Sequence, residues 1–554
     1  MNTRRRFSIL FLLLLVWLSL PGRLSAQFRE QVEVRTDRSY FMAGETLWFG
    51  VQRNPGSDVF STVVYAELVT PRGTPVAQKK LALDESGATG SFLLPGDLSS
   101  GSYYVRAYTK WMRNCGPESF AYSGVRIYNP YSQLVLPVDT LTSLTLGSPE
   151  SDEDASRDLQ VRLPGTTFAN REAVELELGW TGRGEAGVSV SVVPRGTLAE
   201  TLLRSEDCRP EAHGPGEVVA EIQDASLSGS VVDASTGDPV PFATIYLTLL
   251  GAQRVFQCNY ADSSGRFYFS FPGEMGSQDV FISAFREGVE KVELLLDQDF
   301  STDVLSLPSL PVNPPAELDT ALRNLSLNAQ IARQYGMQEG TTPAGGATET
   351  SGFPLFYGSP SAVIRFDDFI RLPTMTEYFT EVVPQVSIRR TRGMRHFQVL
   401  GEHPDLLVYP PLLLIDGVAI FDLEAILALS PRLIERIEVV NAPYIHGNVT
   451  FGGIISLVSR NNDLAYIDLP ESGLLVDFRM LEPEGAGMPA PELAEALPDV
   501  RNTLLWMPRI VLPAGETQTL TFRTGDTKGS YEAVVRGWDA WGQRIVRRLP
   551  FDVE

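Results

Sequence analysis

The sequence predicts a multidomain, mainly β chain, with several β-sandwiches and one small mixed α/β unit. Three observations predict it. At 554 residues the chain is longer than one hydrophobic core usually organises. Short alternating runs of apolar and polar residues, broken by Gly and Pro, recur along most of it. One stretch, Pro411–Arg460, departs from that pattern and reads strand, turn, short helix, strand, Gly-rich turn, strand.

Residues 1–26 read as a targeting segment. Arg4, Arg5 and Arg6 make a basic start, Ile9–Leu20 an apolar stretch, and Leu24-Ser25-Ala26 a small-residue cleavage site. The apolar stretch is too short to span a bilayer, so cleavage is the expectation. Thr3–Phe7 is similar to a twin-arginine signal, but the Leu-rich core favours the general secretory route. No cysteine near the site marks a lipoprotein. Removing Arg4, Arg5, Arg6 and Arg23 leaves 42 basic against 68 acidic residues, a net charge of −26. Such a balance argues against nucleic acid and against anionic lipid as partners. No later apolar run reaches membrane-spanning length, and the expected location is the periplasm, the periplasmic face of the outer membrane or the cell surface. Three cysteines, Cys115, Cys208 and Cys258, allow one disulfide and leave one thiol. Cys208–Cys258 is one pairing that an oxidising compartment permits.

Phe28–Pro130 carries the first sandwich pattern (27–130), with Ser39–Phe49, Val63–Val69 and Gly101–Asn114 as its strongest runs. SYFMAGETLWF and GSYYVRAYTKWMRN resemble the opening and closing motifs of the macroglobulin-type immunoglobulin-like domain of exported Bacteroidota proteins, with one extra residue between Tyr40 and Gly44. The odd positions Tyr103–Trp111 share one face and read as core. Trp48, Trp111 and Trp506 are likewise expected in cores. The polar stretch 131–157 reads as linker. Its Asp152-x-Asp154-x-Ser156 lacks the glycine and glutamate of a calcium loop. Residues 158–225 resemble a second macroglobulin-like region, with strands over Asp158–Val193 that end in the alternating Val188–Val193 and an acidic loop over Thr201–Asp224.

Residues 226–300 hold SLSGSVVDASTGDPVPFATIYL and DSSGRFYFSFP, which resemble the carboxypeptidase regulatory-like domain, a small transthyretin-like sandwich. Thr236–Pro239 reads as a turn, and Ser264-Gly265 closes a hairpin. The segment 301–352 reads as a proline-spaced, semi-rigid linker, a helix over Leu318–Tyr335 and a flexible Gly/Thr-rich piece, Thr341–Ser351.

In 353–462, Leu412–Ile415 is an apolar strand before the Asp416-Gly417 turn, Asp422–Leu429 has helical spacing, and Ile434–Val440 and Phe451–Val458 are further strands. The DGV turn, the IERIEVV strand and the GNVTFGGII ending resemble the plug domain of TonB-dependent outer-membrane receptors. EYFTEVVP (Glu377–Pro384) fits that plug's first helix, and Val386–Arg390 and Phe397–Leu400 its early strands. The family's plug sits in a 22-stranded barrel, at least about 220 residues at about 9–11 residues per strand. Only 94 residues follow Arg460, so the expectation is a plug without a barrel. Residues 463–499, acidic and Pro-rich, read as linker, and 500–554 as a last, separate small sandwich.

No catalytic or metal-binding constellation is found. His213, His396, His403 and His446 form no metal-ligand pair, and no nucleophile elbow, phosphate loop, dinucleotide fingerprint or thioester motif occurs. No catalytic residue, cofactor or metal is therefore assigned, and the chain is expected not to be an enzyme. Gly447, Gly452 and Gly453 read as tight-turn glycines. Read from its residues alone, Asp416 satisfies its own turn. The plug resemblance implies instead that neighbouring loops touch a substrate, making Asp416, Tyr444 and His446 partner-contact candidates. The expected function is a non-enzymatic binding or adaptor protein of the envelope, seated in or near a partner's outer-membrane barrel. The alternatives are a component of TonB-linked transport and a macroglobulin-type protease-binding protein without a thioester.

Overall fold

A computed structural model describes residues 30–58, 60–137, 153–199, 201–203, 219, 223–250, 254–311, 315–335, 356–391, 393–483 and 497–554. The expectations placed on the leader, on Cys208, on His213 and on Thr341–Ser351 lie outside them. The described chain is mainly β, arranged as three sandwiches and one mixed α/β unit.

The first sandwich pairs Val32–Thr36, Thr46–Arg53 and Ala88–Leu93 in one sheet. Its second sheet runs Leu202–Leu203, Ala121–Tyr128, Gly101–Tyr108, Val63–Val69, Pro75–Ala82. Val63–Val69 and Gly101–Tyr108 are buried along their whole length, which explains their lack of polar alternation. One face meets the opposing sheet. The other is covered by the 301–311 segment, where Arg106 donates to the carbonyls of Ser301 (3.1 Å) and Asp303 (3.0 Å) and Arg126 to that of Pro311 (3.0 Å). Leu307 and Leu310 are buried in the same core. The expected free linker is thus a strap in its first part. An extended Pro-rich chain leaves its carbonyls unpaired, and the sandwich's arginines take them up.

The second sandwich corrects the expected domain map. Residues 158–225 and 500–554 are not separate folds. Ala173–Trp180 lies between Thr517–Arg523 and Leu159–Arg162, and Ala186–Pro194 lies between Gly529–Trp538 and Leu505–Leu512. Neither half closes a core alone, and Trp180, Val190, Leu505, Val535 and Phe551 bury together. This sandwich also abuts the first. Arg35 reaches the Arg536 carbonyl at 2.9 Å, and a Cβ on Gly50 would sit 2.7 Å from Pro508 Cβ.

The third sandwich places Arg266–Phe271, Ala225–Asp233 and Val292–Leu296 against Val255–Tyr260, Thr244–Leu249 and Ser277–Phe285. Its fourth strand in the second sheet is Leu474–Arg479, from the stretch expected to be linker. Leu474, Val476 and Phe478 alternate towards the shared core, and Met480 and Leu481, just past the strand, are buried in it.

The α/β unit has sheet order Ala362–Arg365, Ile434–Val440, Ile454–Ser459, Leu412–Ile415, Val418–Ala419. Leu412–Ile415 runs parallel to Ile454–Ser459, and Ile434–Val440 antiparallel to it. The helix Leu423–Ala428 starts at Asp422, whose carboxylate accepts from Glu424 N–H at 2.8 Å. Its Leu423, Ile426 and Leu427 close the core with Phe366, Tyr378 and Phe397. No helix of the described residues is long and apolar enough to cross a membrane.

Candidate functional site

The three nominated residues lie where the α/β unit rests on the third sandwich. Asp416 has φ +46°, a left-handed conformation that Asp tolerates. Its carboxylate is turned inward. It accepts from the Ser459 N–H (2.7 Å), the Ser459 hydroxyl (2.6 Å) and the Leu464 N–H (2.8 Å). Its carbonyl takes a bond from Arg254, and Thr248 donates to the Gly417 carbonyl at 3.0 Å. The Asp416 carboxylate is therefore a clamp within the fold. A short carboxylate at a turn next to two unpaired N–H groups is better satisfied inside than by solvent.

Tyr444 and His446 sit on the hairpin Tyr444–His446 / Val449–Phe451. The Tyr444 hydroxyl donates to the Phe356 carbonyl at 2.8 Å. The His446 ring lies 5.7 Å from those of both Phe256 and Phe356 and 6.0 Å from that of Tyr444. Burial lowers the His446 pKa from its usual value, against the opposing effect of a backbone bond at Phe256. Cys258 lies beneath, its Sγ 3.5 Å from the His446 carbonyl. Tyr444 and His446 share one aromatic cluster, and Asp416 belongs to the same joint but to a different contact. The joint is packed by Phe256, Leu412, Leu414 and Phe451. Cys258 is a free, buried thiol while Cys115 is disulfide-bonded, which rules out the Cys208–Cys258 pairing.

A further accessible patch of this unit lies on another segment, besides Ile445 of this hairpin, which is itself exposed. A short 3-10 turn, Pro404–Leu407, is capped by His403, whose Nδ1 accepts from Asp405 N–H at 3.3 Å. Leu406 points into the core, which turns its successors outward. Leu407, Val408 and Tyr409 are 69%, 69% and 41% exposed. A lone apolar triplet next to Pro410-Pro411 has neither the helical nor the strand period, so the sequence pattern does not single these residues out.

A second accessible feature is a cleft of about 550 Å³ between the first sandwich, the helix Asp319–Gln334 and the chain entering the second sandwich. Arg38 pairs with Glu45 at 3.1 Å and lies over the Phe41 ring at 4.5 Å. Asp37, fully buried, accepts from Thr503 Oγ1 at 2.6 Å and from Trp48 N–H at 3.1 Å. Asn502 binds Glu45, and Asn328 of the helix donates to Asn502 at 2.9 Å. Glu45 and Trp48 belong to the Tyr40–Phe49 motif, so the cleft was half legible. Its other wall comes from residues about 280 and 450 positions away. Among the described residues no group of three or more His, Cys, Asp or Glu side chains could hold a metal ion.

No protein-family profile and no curated protein matches this chain. Among solved structures it is similar to Escherichia coli alpha-2-macroglobulin activated by porcine elastase, at 9% identity and TM-score 0.24, over 95% of this chain and 44% of that one. Salmonella alpha-2-macroglobulin reacted with methylamine matches at 10% identity and TM-score 0.24, over 95% and 39%. The native conformation of the E. coli protein matches at 10% and 0.23, over 96% and 40%. The chain spans about two-fifths of the length of these structures.

Proposed function

We propose that this chain is a non-enzymatic binding protein of the bacterial cell envelope, engaging a protein partner through its plug-like α/β unit. The observation that carries the reading is the exposed run Leu407-Val408-Tyr409. Three consecutive apolar side chains in water serve no folding purpose when the core beside them is already closed by Leu406, Phe397 and Ile437. The joint around Asp416 and His446 holds the unit that carries this surface against the third sandwich.

The test is site-specific photo-crosslinking in the native envelope. A photoreactive residue at Val408 is expected to capture a discrete protein that one at Tyr268, on the third sandwich, does not. An outer-membrane barrel as the captured protein supports the plug-like seating, and a protease points to the macroglobulin-type alternative. Equal, diffuse labelling from both positions overturns the reading.

A further inference from the structure

The two-stranded ribbon Val386–Thr391 / Met394–Val399 carries a local charge opposite to that of its chain. From Val386 to Val399 the sequence VSIRRTRGMRHFQV holds four arginines and no acid, in a chain of net charge −22. Among the described residues neither strand pairs with a third. The inner face buries Val386, Phe397 and Val399 and then leaves the core. Where it leaves, Arg390 stands directly opposite Arg395. Two like charges at directly opposed ribbon positions weaken the pairing of the strands. Arg395 is compensated by a two-point ion pair with Glu424 of the helix Leu423–Ala428. Arg390 has no ion pair among the described residues, and neither has Arg389 on the outer face. Both are exposed, and Met394, the first residue of the opposing strand, is 73% exposed. Glu424 feels the charge of Arg390 as well as that of Arg395, so one carboxylate faces two guanidinium groups and the ribbon end keeps a net positive charge.

The geometry points to this tip as the docking site for an acidic polypeptide segment of the partner, held by guanidinium–carboxylate pairs from Arg389 and Arg390. The inference rests on the protein-binding reading above and names the partner's chemistry. Carboxylates match the arginine fork and form paired, charge-assisted bonds. An anionic bilayer is the less suitable surface. The remainder of the molecule is strongly acidic and is repelled by the sheet of charge that this small tip would approach. A carboxylate-bearing segment can reach the tip alone.

The experiment uses the purified full chain and a fluorescent twelve-residue peptide alternating Glu and Thr, read by anisotropy. Saturable binding is expected, weakened about tenfold or more by R389E/R390E and by raising salt from low to physiological ionic strength. A Lys/Thr peptide is expected not to bind. R389Q/R390Q, which removes the charge without adding attraction to the rest of the fold, is expected to weaken binding as well. Equal binding to wild type and both variants, or none to wild type, overturns the inference. So does co-sedimentation with anionic vesicles that the same substitutions abolish. If crosslinking at Val408 still captures one protein while the acidic peptide fails, the tip assignment alone falls. If both fail, the protein-binding reading falls with it.

Discussion

The carboxylate of Asp416 closes on Ser459, taking both its backbone N–H at 2.7 Å and its hydroxyl at 2.6 Å. That relationship ties the turn after one strand to the end of its parallel neighbour 43 residues later. It turns a residue that looked like local turn chemistry into a long-range fastening of the α/β sheet.

Asp416→Ala is therefore expected to be costly. It leaves the Ser459 and Leu464 donors unpaired in a buried place and puts a Cβ-bearing residue of no αL preference at φ +46°. The sum is on the order of 2–4 kcal/mol. Asp416→Asn keeps the backbone tolerance and one acceptor and should cost less. Amide hydrogen exchange over Leu412–Ile415 and Ile454–Ser459 checks this, and unchanged protection in Asp416→Ala would show that the clamp contributes nothing.

Gly453→Val is expected to be at least as damaging. A Cβ there would lie 2.7 Å from the Val440 carbonyl oxygen and 3.0 Å from Val399 Cβ, at φ +95°. Strain and overpacking each cost about 1–3 kcal/mol. Gly44→Ala, at φ +92° with nothing within 4 Å, isolates the strain term and should cost only about 1 kcal/mol. Chemical denaturation of the two variants measures the contrast, and equal losses would contradict it.

Cys258 is expected to resist thiol reagents in the folded protein. Burial pushes its pKa up to about 12, and the hairpin bearing His446 covers its sulfur. A colourimetric thiol assay should find no fast-reacting group in native protein and one in denaturant. Because Cys258 lies in the joint between the third sandwich and the α/β unit, its slow labelling rate also reports how often that joint opens. A full equivalent reacting at once would mean the joint is not closed.

Much of this was legible locally. The Asp416-Gly417 turn, the helix within Asp422–Leu429 and the Leu412–Ile415 strand follow from turn chemistry, helical spacing and apolar runs, which act over a few residues. The second sandwich was not legible. Val188–Val193 reads as a strand, but that its neighbours are Leu505–Leu512 and Gly529–Trp538 depends on edges meeting in three dimensions, which no local pattern encodes. Leu474–Arg479 was hidden for a related reason. Its alternation is short and surrounded by Pro and Glu, and its strand character comes from the open edge of Ser277–Phe285. The surroundings of the site residues were equally hidden: that Asp416 bonds to Ser459 and that His446 packs beside Phe256 depends on segments distant in sequence.

The last prediction concerns the contact between the first and second sandwiches. Asp37 belongs to the first, and its carboxylate receives the hydroxyl of Thr503, which leads into the second. Burial pushes the Asp37 pKa up to about 6 from an ordinary value of 3.8, although Arg38 at 3.5 Å and the bonds from Thr503 and Trp48 pull it down. The folded protein therefore binds this proton more tightly than the unfolded chain does. Between pH about 4 and 6 the native state holds the extra proton, so the Asp37 contribution to stability rises as pH falls through about 6 and is complete near 4. Above that window the buried charge costs stability, on the order of 2–3 kcal/mol for a shift of this size. Other carboxylates respond in the opposite sense, so the quantity to measure is a difference. Asp37→Asn is neutral at every pH and keeps an acceptor for Thr503. The thermal midpoint of the wild type relative to Asp37→Asn should climb on acidification from pH 7 to 5. A constant difference across that range would mean that Arg38 outweighs burial and that Asp37 stays charged in the folded protein.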